Sequence, residues 1–284
     1  MKRIVPLLVA CAYLPFSHGN DLTPAFEAVE ARQFTQAIET LERLADQRAD
    51  RDTLFHLALN QYRHADFEAA EETLSELNDQ YPADADALYL SGLVYLALVG
   101  EVNVFRKVGM AKKTVASWEA AVAADPNHLN SRFAIFAFYT QAPAIAGGDI
   151  DKATKLQAEM AAMNEEYGTL AMAMLKSKAD DLEAAEAAFQ HAFTLTDRAG
   201  PHFSFAQYLL RTEQWEKAIF HSNEFLERER KWWDPDITAA YLMKTRAHSE
   251  LGNTRQAREL ASQGLALNPN RVIRRLLENA LKDL

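Results

Sequence analysis

The sequence predicts an all-α array of stacked helix hairpins, and three observations carry that reading. The chain of 284 residues is rich in Ala, Leu and Glu but holds only 10 Gly and 9 Pro, a composition that favours helix over sheet. One short pattern recurs along it: "RQFTQAIETLERLA" (32–45), "ADFEAAEETLSELNDQYP" (65–82), "DDLEAAEAAFQHAFTL" (180–195), "EQWEKAIFHSNEFL" (213–226) and "GNTRQARELASQGLALNP" (252–269). Finally, Pro82, Pro126, Pro235 and Pro269 fall between the recurrences, where they interrupt helices and bias the preceding residue away from helix.

Each recurrence opens on a small or polar pair, usually continues with an aromatic or apolar residue, and places an alanine three positions on. The alanines are Ala37, Ala70, Ala153, Ala185, Ala218 and Ala257. Their spacing lies near about 34 residues once a further unit is allowed between Ala70 and Ala153. Small residues are needed where two helices cross closely, because a larger side chain would push the axes apart. Ala58 and Ala70 are expected to face each other within one hairpin, as are Ala173 and Ala185, or Ala206 and Ala218. A single hairpin cannot bury its apolar face, so neighbours must stack to complete a core.

Taken in order, the hairpins are expected at roughly 20–50, 51–84, 85–128, 129–165, 166–198, 199–236 and 237–270, a solenoid over 20–270. The first is degenerate, with Thr23 as N-cap and Pro24 at the first helical position. The second carries Leu54, Leu57, Ala58, Phe67, Ala70, Leu74 and Pro82 in the repeat pattern. The third, marked by Gly92, Tyr95, Trp118, Ala121 and Pro126, is longer than its neighbours and contains the basic island "FRKVGMAKK" (105–113). Such an island either meets an acidic partner or lipid headgroups, or is a solvated helix extension that neutralises nearby acids. The fourth is interrupted by "QAPAIAGGD" (141–149), and the sixth ends in "RKWWDPD" (230–236), whose Trp232 and Trp233 suit an interface or a gap between repeats. The seventh adds Tyr241, Gly252, Ala257 and Pro269. The tail, 271–284, is one amphipathic helix with Val272, Ile273, Leu276, Leu277, Ala280 and Leu281 on one side. It is expected to cap the open end of the array, the alternative being a docking helix for a partner.

These motifs resemble the tetratricopeptide repeat (TPR) family over nearly all of residues 23–270. The resemblance implies a right-handed superhelical solenoid of helix–turn–helix units whose first helices line a concave groove. The segment 114–160 also resembles a group of exported bacterial TPR proteins with an AP-x-IAGG…KA motif, matched here by Asp125, Pro126, Phe138, Tyr139, Ala142, Pro143, Ile145, Ala146, Gly147, Gly148, Lys152 and Ala153. That group implies no reaction.

The chain begins like an exported protein. Lys2 and Arg3 precede an apolar run from Ile4 to Phe16, and Ser17-His18-Gly19 places small residues where a signal peptidase cuts. A signal peptide over 1–19 and a periplasmic destination follow as expectations. Leu8-Val9-Ala10-Cys11 resembles a lipoprotein box, so lipidation at Cys11, with membrane contact, is the minor alternative. Cleavage after Gly19 would remove the only cysteine and leave no thiol chemistry.

Catalytic signatures are missing from the sequence. None of the eight histidines stands in a metal-ligand pattern such as HExxH, and there is no P-loop or GxSxG. No metal, cofactor or enzymatic activity is expected. The net charge of −10 argues against nucleic acid.

A groove is the expected site. Placed in the repeat frame, the concave rows hold Phe55, Tyr89, Phe133, Leu170, Phe203 and Leu242, then Leu59, Leu93, Met174, Gln207 and Arg246, then Tyr62 and Thr140. This apolar and aromatic stripe suits a protein or peptide with apolar anchors, which makes the chain a non-enzymatic scaffold or adaptor of the bacterial cell envelope. The alternative ligand is an elongated apolar small molecule, carried rather than converted. Equally, the rows pack against neighbouring helices or the chain's own N-terminal segment. Only Arg246 is basic at this level, so a cluster that grips a peptide carboxylate is disfavoured.

The inserted turn reads as shape rather than chemistry. Gly147 and Gly148 permit unusual backbone angles, Asp149 caps the next helix, Pro143 stops the previous one, and Ile145 is expected to pin the loop to an apolar patch. Asp149 and Asp151 would repel a bound phosphate.

Overall fold

The computed structural model describes residues 21–284. Among them lie fifteen α-helices and one short 3-10 turn, with no strand. The helices are α1 (Thr23–Glu30), α2 (Phe34–Gln47), α3 (Arg51–His64), α4 (Phe67–Gln80), α5 (Ala85–Val99), α6 (Val104–Ala124), α7 (Leu129–Gln141), α8 (Ile150–Met163), α9 (Glu165–Lys178), α10 (Leu182–Leu195), α11 (Ala199–Arg211), α12 (Trp215–Glu227), α13 (Ile237–Glu250), α14 (Thr254–Ala266) and α15 (Arg271–Asp283). Odd and even helices pair as consecutive hairpins, and each hairpin packs on the next. First helices also touch first helices, α3 on α5, α7 on α9 and α11 on α13, so they share one face of the solenoid.

The alanine frame explains the close packing. Ala37, Ala58, Ala70, Ala121, Ala153, Ala173, Ala185, Ala206 and Ala257 are fully buried, and Ala218 is nearly so. Ala121 fills the gap in the series between Ala70 and Ala153. Two glycines take the same role where even a methyl is too much. A Cβ on Gly92 would stand 2.1 Å from Nε1 of Trp118, and one on Gly168 would stand 2.4 Å from Cα of Ala161.

In five of the seven hairpins the turn is built on one left-handed residue, at Arg32, Ala65, Asp180, Glu213 and Gly252. Only the last is glycine, so the others hold a conformation that costs an ordinary residue about 1–2 kcal/mol. Helix starts are capped by acceptors from the preceding connection. Asp50 accepts from the Thr53 amide, Asp84 from the Ala87 amide and Asn164 from the Tyr167 amide, at 3.0, 2.9 and 3.1 Å. The expected cap at Thr23 is shifted. Thr23 lies inside α1, the capping position is Leu22, and the Thr23 amide donates to Asp21.

The larger third hairpin owes its length to α6, which spans 21 residues. Its N-terminal turns carry the basic island. Arg106, Lys107 and Lys112 are exposed, while Lys113 reaches Glu71 and lies over the Tyr95 ring.

After seven hairpins the superhelix has come round to its own beginning. Arg271, at the start of α15, donates to the carbonyl of Ala65 and to Glu101, and Asn270 donates to the carbonyl of Arg63. Val272 packs into the core built by α3, α4 and α5. Thus α15 covers α13 and α14 and also joins them to the second hairpin. Leu277 is fully buried in this cap, whereas Leu276, expected on the same apolar side, stands 42% exposed.

Candidate functional site

The inner face is where the sequence placed a groove, and the structure covers its Phe55 and Tyr89 positions with the chain itself. Connection 228–236, between α12 and α13, turns inward. The Trp232 indole meets the Phe55 ring edge-on at 5.2 Å and the Tyr89 ring at 5.7 Å. Arg63, at the end of α3, donates to the Trp232 carbonyl at 3.2 Å. Trp233 stacks edge-on against Trp232 and joins the core around Trp118 and Ile135. Asp234 closes the turn by accepting from the Lys231 amide at 2.7 Å. Burial raises its carboxyl above the usual range, with that hydrogen bond opposing the rise. Among the described residues the covering segment is therefore the α12–α13 connection, whose tryptophans the sequence assigned to an interface or to a gap between repeats.

The remaining groove residues divide by hairpin. Phe55, Leu59, Tyr89, Thr140, Leu170 and Phe203 are buried. Tyr62, Leu93, Phe133, Met174 and Leu242 are half-buried, and only Gln207 and Arg246 are exposed. Phe133 lies edge-on to Tyr167, whose hydroxyl donates to Asn130 at 2.6 Å. Phe203 packs on Phe225. Burial pushes the Tyr62 and Tyr89 phenols above their ordinary range, so neither is poised as a proton donor. These rings act as packing between hairpins two to six, and the accessible inner surface lies toward α9, α11 and α13.

The inserted turn departs from expectation in one respect. Pro143 follows the end of α7, a 3-10 turn spans Ala144–Ala146, and Gly147 adopts φ +105°. A Cβ on Gly148 would stand 1.8 Å from the Ala142 carbonyl oxygen, so the second glycine is needed for closeness. Asp149 caps α8 by accepting from the Asp151 and Lys152 amides, both at 3.1 Å. Ile145, however, is 87% exposed and pins nothing. The tight backbone contact at Gly148 closes the loop without an apolar anchor, which leaves the Ile145 side chain at the tip.

Two clusters escaped the sequence reading. His202 on α11 and His221 on α12 are buried with their Nδ1 atoms 2.9 Å apart, and Phe193 stacks on both rings. Such a contact needs one Nδ1 to donate and the other to accept. Burial, with neighbouring cations, lowers both imidazoles to about 4. No local spacing marks this pair, but the repeat frame does: the two residues flank Ala206 and Ala218, which face each other. Thr73 takes the place of His221 beside Ala70 and donates to Gln61, one turn after Ala58, at 2.8 Å. No group of three or more metal-ligating side chains occurs among the described residues.

The second cluster is a cleft of about 750 Å³ where the two ends of the superhelix meet. It is walled by the α1–α2 turn, the end of α3 and the α12–α13 connection, with Arg32, Arg63, Arg230, Lys231, Trp232 and Phe34 among its lining. Charged groups dominate it, which is the wrong chemistry for an elongated apolar cargo. Its cations come from three distant parts of the chain, so no sequence window could show them together.

No family model matches the chain, and no curated protein matches it. Solved structures do resemble it. A tetratricopeptide repeat protein from Parabacteroides merdae aligns over 92% of this chain and 97% of its own, at 13% identity and a TM-score of 0.56. The human IFIT1 dimer with m7Gppp-AAAA aligns over 86% of this chain and 59% of its own, at 14% identity and a TM-score of 0.54. At such identities the likeness concerns architecture, which agrees with the alanine frame, the hairpin pairing and the shared inner face: the chain has the tetratricopeptide-repeat fold.

Proposed function

We propose that this chain is a non-enzymatic interaction scaffold of the bacterial cell envelope that holds a protein partner on the inner face of its solenoid. One observation carries the reading: first helices pack on first helices in three pairs, α3 on α5, α7 on α9 and α11 on α13, and the α11–α13 pair carries exposed Gln207 and Arg246, with half-buried Leu242 one turn before Arg246. Stacked-repeat proteins use such extended surfaces for recognition. A polar rim around partly apolar positions suits a peptide-sized contact. The export signal read in residues 1–19 supports the envelope assignment.

The test is crosslinking in cells followed by affinity capture from the envelope fraction. Gln207→Lys with Arg246→Glu alters the free part of the face without touching the core. Loss of a specific crosslinked protein in this variant supports the proposal. Capture of the same proteins at the same yield, or recovery of the chain from the cytoplasmic fraction with residues 1–19 still attached, overturns it.

A further inference from the structure

The cleft at the closing seam has an uneven balance of charge. Arg32 and Arg63 both face Asp236, but Asp236 is committed to Arg32, with Nη2 to Oδ1 at 2.9 Å, and to the α13 N-terminus through Thr238. Glu229 pairs with Lys231 at 2.6 Å, whereas Asp234 accepts from the Lys231 amide and keeps its negative charge in the cleft. Arg228, also on the lining, turns to Glu224 at 2.6 Å. Among the described residues two guanidiniums are left without an ion pair, as are two carboxylates of the lining, half-buried Asp234 and exposed Glu30 at the end of α1. Arg63 donates to the Trp232 carbonyl, and Arg230 donates only to the carbonyls of Phe225, Leu226 and Arg228. Neither has a carboxylate within ion-pair distance among the described residues.

An arginine withdrawn from water without a counter-charge is costly, and Arg63 shows it: burial lowers its guanidinium below the ordinary value. The forked donors of arginine match phosphate and carboxylate oxygens. The cleft offers room beyond the anion itself, within the size range of small-molecule sites, and one wall is the Trp232 indole. In a chain of net charge −10, a concave lining with five cations to four carboxylates is a local exception.

We propose that this cleft binds a small organic polyanion, carrying two or more phosphate or carboxylate groups, which Arg63 and Arg230 grip while its body lies against Trp232. Because Arg63 belongs to the second hairpin and Arg230 to the connection before the seventh, the ligand ties the two ends of the superhelix together. Binding then reinforces a closure that Arg32 and the start of α15 already make, independent of whether the inner face holds a protein.

Thermal unfolding and calorimetric titration of the purified protein decide this, with pyrophosphate and citrate as probes and sodium chloride at matched ionic strength as reference. At saturating probe the unfolding midpoint rises by several degrees over the chloride reference. A response to pyrophosphate alone identifies phosphate as the chemistry, and one to citrate alone identifies carboxylate. Arg230→Gln, at an exposed position, weakens affinity about tenfold, the loss of one charge-assisted contact. Arg63→Gln does the same if it folds, and Arg230→Gln decides alone if it does not. No rise beyond chloride with either probe, or unchanged affinity in Arg230→Gln, overturns the proposal.

Discussion

Arg32 reaches Asp236 across 204 residues of chain, its guanidinium donating to both carboxylate oxygens at 2.9 and 3.1 Å. The same arginine also donates through Nε to the Leu267 carbonyl, and its own carbonyl accepts from Asn268. One residue of the α1–α2 turn thereby fastens the first hairpin to the last. Arg32→Ala removes the fastening. A hydrogen bond to a charged group contributes about 1.5–3 kcal/mol, and a loss of that order is expected. Small-angle scattering should show a larger radius of gyration with helix content unchanged. An unaltered radius would mean that Val272 and Trp232 hold the seam without it.

Acid should act on the same seam. Burial raises the Asp236 carboxyl, but the hydrogen bonds from Arg32 and Thr238 outweigh it and leave the group below its ordinary 3.8. A carboxyl depressed in the folded state stabilises above the unfolded pKa, and the contribution is lost as pH falls through the folded one. The seam should therefore tolerate mildly acidic buffers and loosen only below about pH 4. Asp236→Asn should remove that strongly acid step from scattering measured against pH. If the variant keeps the step, another group controls the closure.

Much of this architecture was legible in local sequence because the repeat is local. Ala70, Ala185 and Ala218 mark helix crossings through small size alone, and their spacing recurs along one stretch of chain. The cap at Asp149 and the stop at Pro143 were legible for the same reason. Closure was not, because Arg32, Arg63 and Asp236 belong to different turns of chain and nothing nearby in sequence refers to their partners. The filling of the groove failed to show for a related reason: a ring at Phe55 or Tyr89 reads the same whether it meets a partner's side chain or Trp232. The His202–His221 pair stands between these cases, since the frame that aligned Ala206 with Ala218 also sets the histidines opposite each other.

Trp232 is expected to matter for stability more than a connection residue usually does. Truncating a buried tryptophan costs about 3–5 kcal/mol, and Trp232→Ala should fall at the low end because the ring is half-buried. The edges of Phe55 and Tyr89 would then face water. An apolar fluorescent dye should bind the variant and not the wild type, while the unfolding midpoint falls. A midpoint equal to wild type would show that the inward connection only rests on the groove.

The histidine pair gives stability a second dependence on pH. Both imidazoles are held neutral to about 4 by burial, against 6.5 for an ordinary histidine. The unfolded chain therefore takes up protons that the folded chain refuses between those values, and stability falls as pH drops through that window. When both rings are protonated both Nδ1 atoms become donors, and their 2.9 Å contact turns repulsive. Replacing both with glutamine should flatten the unfolding midpoint between about pH 6.5 and 4. A variant that keeps the wild-type slope would assign it to other groups.

The inserted turn separates shape from surface within five residues. Gly148 lies where a methyl would stand 1.8 Å from the Ala142 carbonyl oxygen, and backbone cannot swing aside as a long side chain can. The same place is fixed from both directions, since the Gly148 amide donates to the Pro143 carbonyl at 3.1 Å and the Asp149 amide to the Tyr139 carbonyl at 2.9 Å. Gly148→Ala must break one of these to make room and should cost about 1–3 kcal/mol. Three residues earlier, Ile145 has almost no contact to lose, and Ile145→Lys should change stability by no more than about 0.5 kcal/mol. Chemical denaturation of the two variants side by side tests the assignment. If Ile145→Lys is the more damaging, the side chain does anchor the loop, and the tight backbone contact is not what holds it.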